Sequence, residues 1–125
     1  MGHLGITWAA GAALLVAALA ACEPTDALNS ANVSVTTHQL TTRALADDRV
    51  AVDWLSCGAS DDPSDPEVHC LGRTRDDRKI TVKGHVTRQY DLKCLTGHLT
   101  AVVGGRTVFD VRGLGNCGGR VPASR

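Results

Sequence analysis

The sequence predicts a small all-β domain: an antiparallel five-stranded meander, a sandwich or partial barrel, held by two disulfides and set behind an N-terminal signal segment and a tether. Three observations lead there. Apolar residues recur at a period of two from Arg49 onward. Polar and glycine-rich turns interrupt that pattern at short intervals. Four cysteines follow Cys22, an even number in a short chain. At 125 residues there is room for one domain.

Val50, Val52 and Trp54 alternate with Ala51, Asp53 and Leu55, and the run closes at Cys57. This reading makes Trp54 a core residue. A second strand is predicted over Val68–Thr74, ending at the polar turn Arg75-Asp76-Asp77-Arg78. Ile80, Val82, Gly84 and Val86 alternate with Thr81, Lys83, His85 and Thr87, the pattern of a half-buried strand. After a turn at Tyr90-Asp91, Leu95, Leu99, Ala101 and Val103 share one parity. Gly104-Gly105 suits a two-residue hairpin turn, where positive φ carries no Cβ clash. A fifth strand, Arg106–Arg112, follows, and Gly113, Gly115, Gly118 and Gly119 end regular structure.

The N-terminal part is of another kind. Met1–Ala21 holds no Asp, Glu, Lys or Arg, and from Trp8 to Ala21 it is apolar with no polar helical face, as in a signal-peptide core. Leu19-Ala20-Ala21-Cys22 resembles the bacterial lipobox. That resemblance implies cleavage before Cys22, a diacylglyceryl thioether on Cys22, and stable two-chain anchoring on the extracytoplasmic face of the cell membrane. The segment departs from the usual signal in having only His3 and the α-amino group for positive charge, and an uncleaved helix over Leu4–Ala21 is the alternative. Residues 22–48 are polar and rich in Thr, Ser, Asn and Ala, and are expected to be a flexible tether. Within it, Asn32–Thr37 offers a possible strand and Gln39–Ala46 a possible short helix. The expected organisation is therefore signal peptide 1–21, lipidated tether 22–48, β domain 49–118 and disordered tail 119–125.

Cys57, Cys70, Cys94 and Cys117 allow three pairings. Geometry favours Cys57–Cys70, which closes the acidic loop between strands one and two, and Cys94–Cys117. If Gly104-Gly105 is the hairpin turn, Val103 faces Arg106 and Cys94 lies opposite Gly115, two residues from Cys117. On the loop-entropy account the two links contribute about 3 and about 3.5 kcal/mol. A four-thiolate zinc site is the competing reading, and the chain lacks the C-x-x-C pairs such sites use.

Four stretches resemble the small uncharacterised lipoproteins of streptomycetes: Trp54-Leu55-Ser56-Cys57, Cys70-Leu71-Gly72-Arg73-Thr74, Lys93-Cys94-Leu95-Thr96-Gly97 and Leu114-Gly115-Asn116-Cys117. The region is also similar to a domain of mycobacterial lipoproteins in which a Cys-flanked loop precedes a β-hairpin. These resemblances imply a disulfide-bonded β domain and no particular activity. Composition agrees with an actinobacterial source: Arg exceeds Lys ten to three and Asp exceeds Glu eleven to two, a bias of GC-rich genomes.

Candidate chemistries are few. His85 is expected to face Thr96, with His98 one diagonal step away and His69 nearby, a possible zinc or copper site. The alternative is solvent-facing residues on the polar side of the sheet. Asp61, Asp62, Asp65 and Glu67 fall within seven residues but lack the spacing of a calcium loop. Arg73, Arg75, Arg78 and Lys79 would suit anionic lipid or polymer, yet Asp76 and Asp77 lie among them. A formal net charge of zero and an extracytoplasmic address both disfavour nucleic acid. No nucleophile elbow, metalloprotease helix or phosphate loop occurs. The expectation is a binding module, not an enzyme, with no cofactor. Its partners would be the bilayer through Cys22 and an envelope protein or polymer. The alternative is a metal- or small-ligand-binding lipoprotein using His85 and His98.

Overall fold

The computed structural model describes residues 25–118. The signal segment, Cys22 and the tail 119–125 lie outside the described residues. One helix, α1 (Ser30–Asp47), is followed by β1 (Val52–Ala59), β2 (Glu67–Thr74), β3 (Lys79–Tyr90), β4 (Cys94–Val103) and β5 (Arg106–Gly115). The strands form one antiparallel sheet in the order β1-β2-β3-β4-β5, the expected all-β meander. The second layer is α1, which lies on the apolar face, chiefly over β1.

Over its own residues, within the span 22–48, that helix corrects the expectation of a flexible tether, and it replaces the strand expected over Asn32–Thr37. The Gln39–Ala46 segment is its second half. Its buried residues are Val33, Thr36, Thr37, Leu40, Thr41 and Leu45, a helical i, i+3, i+4, i+7, i+8 stripe in which half the positions are Thr. Val33 and Leu45 are fully buried in the same core as Leu55, Val68, Ile80, Val82, Leu95 and Leu99. Asn29 caps the N-terminus, its side chain accepting from the Asn32 N–H at 2.8 Å. At the other end Arg49 takes φ 63°, and the Val50 N–H donates to the Leu45 carbonyl, turning the chain into β1.

Trp54 is the second correction. Val52 pairs with Thr74 but Trp54 with Arg73, so Asp53 is an extra residue in β1. A bulge of one residue exchanges the two faces of everything beyond it. Val50 and Val52 therefore point toward the core before the bulge and Leu55 after it, while Trp54 stands 50% exposed.

The cysteines pair as geometry favoured. Cys57 and Cys70 are directly opposed across β1 and β2, with Cα atoms 4.0 Å apart and a disulfide between them. Cys94 lies opposite Gly115 and is bonded to Cys117, Cα to Cα 4.9 Å. With the four thiols joined in pairs, the four-thiolate zinc reading falls. Gly104 and Gly105 take φ 57° and 83° and bring Val103 opposite Arg106, as a two-residue hairpin requires. β5 continues to Gly115, three residues beyond its expected end.

If α1 belongs to the core, Leu45→Ala should cost roughly 2–5 kcal/mol of unfolding free energy. Val35→Ala, at a position 55% exposed on the same helix, should cost within about 0.5 kcal/mol. Urea unfolding of the two variants checks this, and equal small effects would restore the tether.

Candidate functional site: the open face of the sheet

Covering one face of the sheet leaves the other open. Along that face β2 contributes Glu67, His69, Leu71 and Arg73, β3 contributes Lys83 and His85, and β4 contributes His98 and Thr100. A groove of about 630 Å³ runs across the middle, lined by His69, Lys83, His85, His98 and Thr100 among others.

His85 faces His98 directly, not Thr96. The β3–β4 turn spans Asp91, Leu92 and Lys93, which alone would set His85 opposite Leu99, and a bulge at Thr87 moves the register back by one residue. Glycines on both strands lock the pair in place. A Cβ at Gly84 would lie 1.9 Å from the His98 carbonyl oxygen, and one at Gly97 would lie 2.0 Å from that of His85. The two backbones approach closely where the imidazoles are mounted, and only glycine fits beside each.

Each imidazole has a carboxylate partner. His98 Nε2 is 2.5 Å from Asp110 Oδ1, and Thr100 donates to the same oxygen at 3.3 Å. His85 Nδ1 is 3.6 Å from Asp65 Oδ2. The hydrogen bond from His98 holds the Asp110 carboxyl below the usual aspartate value, with the charge of His98 and the Thr100 hydroxyl adding to it. His69 lines the same groove one strand away. Among the described residues no group of three or more His, Cys, Asp or Glu side chains is arranged to hold a metal ion. The structure thus brings together two of the three expected histidines, and gives each a carboxylate in place of a third ligand.

The other candidates are engaged locally. In the acidic loop, Asp62 accepts from the Ser64 N–H, the Ser64 hydroxyl and the Asp65 N–H, which lowers its pKa. Arg73 pairs with Asp77 and Arg78 with Asp76, so two of the four cations at the basic turn are matched from within.

Sequence reasoning missed the apolar part of this face. Trp54 and Leu71, 50% and 42% exposed, occupy diagonal positions on β1 and β2, because Leu71 pairs with Ser56 two residues along from Trp54. It also missed Asp110. A plain count from Gly104-Gly105 puts Asp110 on the other face, and a register shift between Ala101 and Val102 brings it opposite Thr100. No pattern in the sequence announces either shift.

The fold and this face define a class: a disulfide-bonded helix-on-sheet domain with one exposed polar and aromatic face. No protein-family model, curated protein or solved structure matches the chain. Among the described residues no helix is long and apolar enough to cross a membrane.

Asp110 provides a direct test. Because its carboxyl is lowered in the folded protein, its contribution to stability is present above the unfolded value near 3.8 and is lost as pH falls through the lowered one. In a carboxyl NMR titration, His98→Ala should move Asp110 up toward 3.8. An unmoved midpoint would mean that the hydrogen bond does not operate in solution.

Proposed function

We propose that the protein is an extracytoplasmic lipoprotein, anchored to the cell membrane through acylated Cys22, that acts as a binding module and not as an enzyme. Its open sheet face meets an envelope protein or polymer. The address rests on Leu19-Ala20-Ala21-Cys22 behind an apolar segment, and it suits the two disulfides, which persist in oxidising compartments.

The binding role is carried by the exposure of Trp54 beside Leu71 on the uncovered face. A half-exposed tryptophan offers a large amphipathic area with little side-chain entropy to lose, and such residues dominate interface energetics. Polar groups around it, from Arg73 to the His85–His98 pair, supply the hydrogen-bonding rim that a binding surface needs.

Two measurements test this reading. The intact mass of membrane-extracted protein should start at Cys22, carry acyl chains and retain both disulfides; a mass that includes Met1–Ala21 would remove the lipid anchor. A photo-crosslinking residue at Arg73 should give discrete adducts in living cells, and Trp54→Ala should abolish them. That variant should change folding stability by no more than about 0.5 kcal/mol, as for other exposed positions. A large loss of stability, or unchanged adducts, would mean that Trp54 is not a contact residue.

A second reading follows from the cross-strand placement of His85 and His98: a site for a metal ion or small ligand. Paired imidazoles suit copper or zinc. Calorimetric titration of the protein with either ion should then give one site, lost in His85→Ala and in His98→Ala. Equal weak binding by all three proteins would dismiss it.

A further inference from the structure

Asp26, four residues after Cys22 in the sequence, is fastened to one end of the sheet. The Asp26 N–H donates to the Gln89 carbonyl at 2.9 Å, and Asp26 Oδ2 accepts from Gln89 Nε2 at 3.0 Å and from the Leu92 N–H at 2.8 Å. Gln89 is fully buried, so this clamp is part of the domain. Only Glu23, Pro24 and Thr25 separate Asp26 from Cys22. At the reach of an extended chain, their Cα atoms are at most about 14 Å apart.

The clamp sits on the tip of the β3–β4 hairpin. β2 pairs with β3 no further than His85, and β3 continues five residues to Tyr90, about 16 Å. The acidic β1–β2 loop joins β3 at Val86, where the Pro66 carbonyl accepts the Val86 N–H, and its Pro63 lies beside Thr87–Gln89. Asp91, Leu92 and Lys93 therefore lie beyond it. Leu92 is held at φ 53° and stands 50% exposed, and the exposed Lys93 side chain lies 3.8 Å from the Asp91 carboxylate. Exposed Arg43 of α1 lines the same groove as Leu92 and Lys93, and Asp47 and Asp91 balance the two cations there.

We propose that the β3–β4 tip is a membrane contact: Leu92 enters the headgroup–acyl boundary of the bilayer that holds Cys22. The proposal rests on the lipoprotein reading. A short leash leaves the domain little freedom to turn another surface toward the lipid, and the tip offers an exposed apolar residue to the bilayer interface. It also fixes the orientation. Trp54 pairs with Arg73, and Arg73 with Lys79 at the far end of β3, about 36 Å along the strand from the tip. The binding face then stands upright from the membrane, with Trp54 outermost.

The test uses the acylated full-length mature protein in phosphatidylcholine–phosphatidylglycerol vesicles with brominated acyl chains. Leu92→Trp in a Trp54→Phe background should be quenched several-fold more strongly than Trp54 in the unsubstituted protein, with a blue-shifted emission. Adding Asp26→Ala, which lengthens the leash, should reduce that quenching toward the Trp54 level. Equal, weak quenching at both positions in protein that still floats with vesicles would overturn the tip contact and leave the lipid anchor standing. Protein that neither floats nor carries acyl mass would overturn the anchor and the contact together.

Discussion

An open antiparallel sheet with one apolar face cannot stand alone in water. Ile80, Val82, Val86, Leu95, Leu99, Ala101 and Val103 all project from one side of β3 and β4, and each is essentially buried. At about 25 cal/mol per Å² of apolar surface removed from water, leaving that side uncovered would cancel the main favourable term in folding. α1, lying chiefly over β1, supplies part of the cover by adding Val33, Leu40 and Leu45 to the common core. The helix determines which face is core and which is left open, and ahead of it Asp26 is bonded to Gln89 and Leu92.

The cover is imperfect in an informative way. Thr36, Thr37 and Thr41 turn their hydroxyls into the helix–sheet interface with no hydrogen-bond partner among the described residues. Each unsatisfied buried polar atom costs about 1–3 kcal/mol. The two disulfides offset such losses in a domain this small. They also pin the sheet at opposite margins, Cys57–Cys70 between β1 and β2 and Cys94–Cys117 near the end of β5. Register is thus held covalently on both sides of the central β3–β4 pair, where the glycines allow the closest backbone approach.

Bulges then shape the open face. Each shifts one strand by a residue and exchanges its sides, which places Trp54 outward, brings Asp110 opposite Thr100 and sets His85 against His98. The resulting surface is mixed, with an exposed indole and leucine at one end and imidazole–carboxylate pairs in the middle.

Much of the fold was legible in the sequence because its cause is local. Period-two alternation identified every strand, the glycine pair fixed one hairpin, and counting back from that hairpin placed Cys94 opposite Gly115 and indicated its bond to Cys117. What the sequence hid was hidden for physical reasons. The buried stripe of α1 is half threonine, so its helical period does not stand out as an apolar signal, and only packing against the sheet makes those positions interior. The outward turn of Trp54 depends on one extra residue at Asp53, and nothing in the local alternation marks it. The sequence by itself determined the strands, the disulfide frame and the motif at Cys22. Tertiary structure alone decided which face is exposed and which residues meet on it, because those depend on register between distant strands and on a helix whose burial exists only once the sheet is formed.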